Sequence, residues 1–186
     1  MEEPIRVRML FADYLTLPDD GIRYEVLDGE LMMSPAPGFR HQRVSGNLAF
    51  ALETWRRATA PAGQVLTAPF DVVLAEDTIV QPDLIYVRPE RTHLIVSERL
   101  HGSPDLAVEI FHAKGAARDR VAKLQAYARF RVPEYWLVDL DGRSVSILTL
   151  TDAGYVTLAS GTGDAPLESK QLAGLRVIPS LVFDGI

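Results

Sequence analysis

Two apolar runs, each interrupted by a carboxylate, decide how the chain is read: Gln81-Pro82-Asp83-Leu84-Ile85-Tyr86-Val87 and Asp105-Leu106-Ala107-Val108-Glu109-Ile110-Phe111. Runs this rich in β-branched and aromatic residues are strands. An ionised acid inside such a strand is costly unless a cation or a hydrogen-bond donor meets it. Pro82 has no ladder donor and belongs at a strand start or edge, so Asp83 is expected near a strand end. Glu109 shares its face with Ala107 and Phe111, opposite Leu106, Val108 and Ile110.

A basic helix follows. Residues 116–131 contain Arg118-Asp119-Arg120-Val121-Ala122-Lys123-Leu124, with Val121, Leu124, Tyr127 and Ala128 as the expected apolar stripe. Lys123 lies at the edge of that stripe, where its stem could follow the core while its ammonium reaches the strand ends. A surface pair with Asp119, four residues earlier, is the simpler alternative. Lys114, in the connecting loop, is the rival lysine. The chain has sixteen Arg and three Lys, and two of the lysines follow Glu109 within fourteen residues, where a compact point charge has a use. Two carboxylates near one lysine suit a hard divalent cation and phosphate chemistry. A structural ion pair of Glu109 with Arg or Lys is the competing account.

Outward from this centre, the pattern predicts a helix at 7–17 and a hairpin at 23–27 and 30–33, turned by Asp28-Gly29. A long helix follows at 39–60, then strands at 64–67, 70–75 and 80–87. Residues 89–101 are a short helix or loop. Strands at 105–111 and 134–140 flank the basic helix, and further strands fall at 144–150, 154–159 and 175–178. The helix between the two apolar strands is long enough for a parallel crossover, and the hairpins make the sheet mixed. The expectation is one α/β domain over 1–186, with a mixed central sheet flanked by helices and an N-terminal helix and hairpin.

Bulk properties narrow the functions. With 186 residues and 47% apolar content, the chain can bury a real core. The absence of cysteine excludes disulfides and thiolate chemistry. No apolar run reaches the about 18 residues of a membrane span, and the N-terminus lacks a signal-peptide pattern, so a cytoplasmic protein without membrane partners is expected. A net charge of −6 argues against a general nucleic-acid coat protein, although the six basic residues between Lys114 and Arg131 could form a local patch.

The ordered series Tyr24-Glu25-Val26-Leu27-Asp28-Gly29-Glu30, His41-Gln42, Gln81-Pro82-Asp83-Leu84, Ala107-Val108-Glu109-Ile110, Arg118-Asp119-Arg120 through Lys123-Leu124 and Tyr127-Ala128, then Val132-Pro133-Glu134-Tyr135-Trp136-Leu137-Val138-Asp139 resembles the PD-(D/E)XK, or restriction-endonuclease-like, superfamily. More closely it resembles the bacterial Uma2 group of restriction endonucleases, over nearly the whole chain. The resemblance implies a restriction-endonuclease-like core with Asp83 and Glu109 as metal ligands for Mg²⁺ or Mn²⁺. It also implies hydrolysis of phosphodiester bonds, in DNA, by an enzyme that cuts as a homodimer. The superfamily's lysine stands two residues after the Glu, where this chain has Phe111. In the resembling group it comes from the following helix, which points to Lys123. A second departure is Phe111-His112-Ala113-Lys114, where the group has a Ser-Pro-Ser-type turn.

The resemblance adds Glu25 as a further acid. His41 is a candidate for touching a phosphate or the attacking water, and Tyr127, Asp71 and Asp139 for supporting the site. Trp55, Tyr135 and Trp136 are expected to offer apolar surface between subunits. Two other readings remain open at this point: a catalytically inactive binding or regulatory module on the same fold, and a metal-free hydrolase using Asp83 and Glu109 as acid and base.

Overall fold

A computed structural model describes residues 8–112 and 117–186, and the side chains of 8–112 and 119–186. Lys114 therefore lies outside the described residues. Two mixed six-stranded sheets form the core. The first runs β2-β1-β5-β4-β8-β7 and contains β1 (Arg23–Leu27), β2 (Glu30–Ser34), β4 (Val72–Ala75), β5 (Thr78–Val80), β7 (Ile95–Val96) and β8 (Arg99–His101). The second runs β12-β11-β10-β9-β6-β3 and contains β3 (Gln64–Thr67), β6 (Leu84–Val87), β9 (Leu106–Phe111), β10 (Glu134–Asp139), β11 (Ser144–Thr151) and β12 (Gly154–Gly161). The helices are α1 (Phe11–Tyr14), α2 (Phe39–Thr59), α3 (Ala117–Arg129) and α4 (Pro179–Val182); β13 (Leu167–Glu168) and β14 (Arg176–Val177) form a separate pair.

The mixed α/β architecture agrees with the sequence, but one predicted sheet is two. Pro82 supplies the reason. The predicted strand 80–87 breaks where the ladder loses its donor, so the chain leaves the first sheet after Val80 and enters the second at Leu84. Asp83 sits in that crossing. Elsewhere the parallel crossover holds: β9 and β10 pair in parallel through α3. The Asp28-Gly29 hairpin also forms, with φ of 53° and 81° at the two turn residues, as a type I′ turn demands.

Three further expectations are corrected. The helix at 7–17 shrinks to α1, because Met9 N–H donates to Gly29 O and Phe11 N–H to Glu76 O instead of joining a helix ladder. Residues 95–101 form a hairpin whose turn residues, Ser97 and Glu98, take positive φ. The strand expected at 175–178 forms as β14, and a short helix follows it from Pro179. Tyr135 and Trp136 are fully buried within the chain, so neither offers a subunit surface. Trp55 is half-buried against the core, donating to Ala173 O and meeting Tyr86 edge-on.

Burial orders the layers. Val44, Leu48 and Leu52 of α2 cover the face of the second sheet that carries Leu106, Val108 and Ile110, together with Leu172, Val182 and Phe183 near the C-terminus. The opposite face, with Ile85, Val87, Ala107 and Tyr135, packs on Ala126 and Tyr127 of α3 and on Leu27, Val72 and Val80 of the first sheet. That second core is where Glu109 points. No helix among the described residues is long and apolar enough to cross a membrane.

Candidate active site

Strand alternation puts Arg23, Glu25 and Leu27 on one face of β1, directed at the core shared with the second sheet. On β6 and β9 the antiparallel register pairs Leu84 with Val108 and Ile85 with Ala107. One step further sets Asp83 opposite Glu109, so both carboxylates share a face as cross-strand neighbours. From above, α3 contributes Lys123 and Tyr127. The first turn of α2 contributes His41.

The contacts tie these groups into one cluster. Lys123 Nζ lies 3.0 Å from both Glu25 and Glu109. Tyr127 donates its hydroxyl to Glu109 Oε1 at 2.7 Å. Asp83 Oδ2 accepts from the Ile110 N–H at 2.7 Å and faces His41 Nε2 at 3.1 Å, while Asp83 Oδ1 meets Arg23 Nη1 at 3.0 Å. Arg23 also reaches Glu25 at 3.5 Å and donates to Gln81 O. Glu25 in turn accepts from the Gln81 N–H at 2.6 Å. All three acids and Lys123 are buried.

Charge state follows from this crowding. Burial pushes the Glu109 carboxyl up to about 7; Lys123 pulls against that, and Asp83 and Glu25 add to it. For Asp83 burial is outweighed by the His41 contact, the Arg23 charge and the Ile110 N–H, which hold it below the ordinary aspartate value. Burial alone would lower Lys123, yet Glu109 and Glu25 keep it protonated well above its usual value. Burial, then the Glu109 charge, raises the Tyr127 hydroxyl, so it remains a donor.

The donor set is chemically right for a hard cation. Three buried carboxylates face one ammonium and one guanidinium. Both protein donors to Glu109 fall on Oε1, leaving Oε2 without one among the described residues. Asp83 is fully engaged, and a cation there would compete with Arg23. Among the described residues no three carboxylate or imidazole groups stand ready-grouped as a metal centre.

Of the residues singled out in the sequence, Glu25, His41, Asp83, Glu109, Lys123 and Tyr127 come together. The alternative pairing of Lys123 with Asp119 is not what forms, because Lys123 turns inward to Glu25 and Glu109; of the expected stripe Leu124 and Tyr127 pack on the core. Val121 is exposed, whereas Lys123, Ala126 and Tyr127 face inward. Asp71 lies in an adjoining network with Tyr14, Gln81 and Arg99. Asp139 caps its own turn by accepting from the Asp141 N–H and stands apart from the cluster. Nor is the basic run one solvated face. Lys123 is buried, Arg120 lies over the Phe111 ring, and Arg129 and Arg131 pair with Asp28 and Asp152. Arg23 was missed, although its place two residues before Glu25 on a strand was the available signal.

Comparison with known proteins agrees with this architecture. A solved structure described as a "putative nuclease belonging to DUF820", from Anabaena variabilis, superposes with a TM-score of 0.77 at 14% identity, covering 94% of this chain and 97% of that one. At that identity the likeness speaks for the fold. No curated protein matches the chain. The model of the Uma2 family, described as "Putative restriction endonuclease", matches residues 11–180. The chain belongs to the Uma2 family.

Proposed function

We propose that the protein is a divalent-cation-dependent endonuclease that hydrolyses phosphodiester bonds in DNA. Asp83 and Glu109 would hold Mg²⁺ or Mn²⁺, Glu25 would complete the acid set, and Lys123 would act on the reacting phosphate. The observation that carries the reading is the buried Lys123 ammonium bridging Glu25 and Glu109 at 3.0 Å, beside Asp83 across the strand pair. Membership of a nuclease family supports the reaction class.

A bound divalent cation would supply a more acidic water and offset charge building on the phosphate. The chain's own residues do the rest. Lys123 stays protonated and can donate to the attacking water or to a non-bridging phosphate oxygen. Tyr127 fixes the Glu109 carboxylate, and the Ile110 N–H and His41 fix that of Asp83, so two ligand groups are oriented before substrate arrives. Arg23 is placed to exchange its carboxylate contacts for a phosphate oxygen.

The test is cleavage of plasmid and single-stranded DNA with Mg²⁺ or Mn²⁺, comparing wild type with Asp83→Ala and Lys123→Ala. Wild type should cut, EDTA should stop it, and each variant should lose roughly a hundredfold or more. Equal cleavage by all three proteins would remove the proposed site, and cleavage surviving EDTA would favour acid–base hydrolysis without metal. A second reading, a binding module without catalysis, is favoured by Arg23 already serving as an internal cation against Asp83 and Glu25. DNA binding with no cleavage under either cation would select it.

A further inference from the structure

Two cations of the chain itself partly neutralise the acid cluster, and they are held differently. Lys123 lies 3.0 Å from both Glu25 and Glu109, with its side chain only 6% exposed. Arg23 reaches Asp83 Oδ1 at 3.0 Å and Glu25 Oε1 at 3.5 Å, with its side chain 19% exposed. Together with Asp83 and His41, Arg23 also lines a cavity of about 510 Å³ beside the cluster. Lys123 is packed in, whereas Arg23 has room to turn.

Asp83 shows which of the two stands in the way of a metal ion. Its Oδ2 accepts from the Ile110 N–H at 2.7 Å and faces His41 Nε2 at 3.1 Å, which leaves Oδ1 as the oxygen for a cation. Arg23 Nη1 already occupies that oxygen. A divalent cation there would sit against the guanidinium, and like charges that close in a buried site repel strongly. Arg23 therefore has to leave Asp83 for the cation to bind. Its planar fork of donors then needs another anion, and a phosphate matches that fork. Arg23 also donates to Gln81 O, a contact that can keep the side chain at the cavity wall as it turns. Asp71, another acid of this cavity, is already met by Arg99 at 3.0 Å and by Tyr14 at 2.6 Å.

We propose that Arg23 is a displaceable counter-ion: it yields Asp83 to the divalent cation and then binds a phosphate of the DNA strand. This rests on the hydrolytic reading above. Without DNA, Arg23 competes with the cation. With DNA present the guanidinium has a second partner, so cation and DNA each tighten the other's binding by the same factor. An arginine that only braces the acids predicts the opposite sign, because its loss would loosen the ligand set and weaken the cation.

The test compares wild type with Arg23→Gln in two binding measurements. Mn²⁺ affinity of the free protein is read by electron paramagnetic resonance, and Arg23→Gln should bind the ion roughly tenfold more tightly. DNA affinity is read by anisotropy on a fluorescein-labelled phosphorothioate oligonucleotide, which resists hydrolysis, in its single-stranded and paired forms. In EDTA the two proteins should bind it alike, because Arg23 is engaged with Asp83 and Glu25. With saturating Mn²⁺, Arg23→Gln should bind it roughly fivefold or more weakly than wild type, with a salt slope smaller by about one. Arg23→Lys keeps a charge beside the acids should the glutamine variant melt too low, and thermal melting checks both. A point charge cannot span both carboxylates, so its Mn²⁺ affinity should fall between the other two. Mn²⁺ bound no more tightly by Arg23→Gln would overturn the exchange and leave the hydrolytic reading standing. So would DNA affinity in Mn²⁺ that does not depend on Arg23, as when the freed guanidinium pairs with Asp19 or Glu98 of the same cavity. A wild type that binds no Mn²⁺ would remove the hydrolytic reading, and the exchange with it.

Discussion

Lys123 is held between two buried carboxylates, and the balance of that small group sets how each member titrates. Glu109 is the sensitive one. Its carboxyl is pushed up to about 7 from an ordinary 4.5, so the native state holds a proton that the unfolded chain has released between those values. The group's contribution to stability is therefore fully present below pH about 4.5 and lost as pH rises through about 7. Denaturant melts at pH 4.5 and 7.5 should show this loss in wild type and a smaller one in Glu109→Gln. Cation uptake runs the other way, because a ligand carboxylate must be deprotonated. Mn²⁺ affinity is expected to rise across pH 6–8, with proton release that Glu109→Gln abolishes. Tyr127→Phe removes the hydroxyl donated to Glu109 at 2.7 Å. A hydrogen bond to a charged group is worth about 1.5–3 kcal/mol, and urea unfolding should lose that much. The Glu109 carboxyl should titrate higher still, since the hydrogen bond favours its ionised form.

At the scale of elements, the Asp28-Gly29 turn and the crossing at Pro82 do the positioning. Gly29 takes φ +81°, and a Cβ there would come within 2.9 Å of the Arg8 side chain. Gly29→Ala should cost about 1–2 kcal/mol through the left-handed backbone alone. It should also loosen the strand that carries Arg23 and Glu25. Gly46 on α2 is the contrast: nothing lies within 4 Å of an added Cβ. There Gly46→Ala should gain about 0.5–1 kcal/mol, and both shifts are read by thermal melting. The same two elements show what the sequence could and could not convey. The turn was legible because its chemistry is local. The split of 80–87 between two sheets was not, since periodicity records which side chains are buried and not which sheet buries them. Asp83 and Glu109 were legible as charges inside apolar strands. Arg23 was overlooked because a strand arginine is ordinarily solvated, and only the Glu25 register made it otherwise. Only Val121 was misplaced in the helical stripe, because Lys123 takes the inward place beside Tyr127, and burial of a lysine runs against any hydrophobic pattern.

At the scale of the whole molecule, another buried carboxylate, outside the acid cluster, holds the C-terminal segment to the sheet. Glu134 accepts from Trp136 Nε1 at 2.7 Å, Ser169 Oγ at 2.6 Å and the N–H groups of Lys170 and Gln171 at 2.9 and 3.1 Å. Glu134→Ala strands these donors and should destabilise by about 3–5 kcal/mol. Hydrogen exchange should then show faster exchange over residues 167–177 than over α3. Assembly is open to the same kind of test. With Tyr135 and Trp136 inside the core, a homodimer would need another apolar surface. Phe39 and Phe50, about 67% and 76% exposed on α2, supply one. Sedimentation should give a dimer for wild type and a monomer for Phe50→Glu; a monomeric wild type would remove the dimer from the account. The most direct measurement of all is titration of the protein with Mn²⁺ followed by electron paramagnetic resonance, for wild type and for Asp83→Asn combined with Glu109→Gln. The account predicts a bound ion in wild type that the double variant loses, with both proteins melting as folded domains. Equal Mn²⁺ binding by the two proteins, or none by wild type, would contradict the claim that Asp83 and Glu109 share one cation.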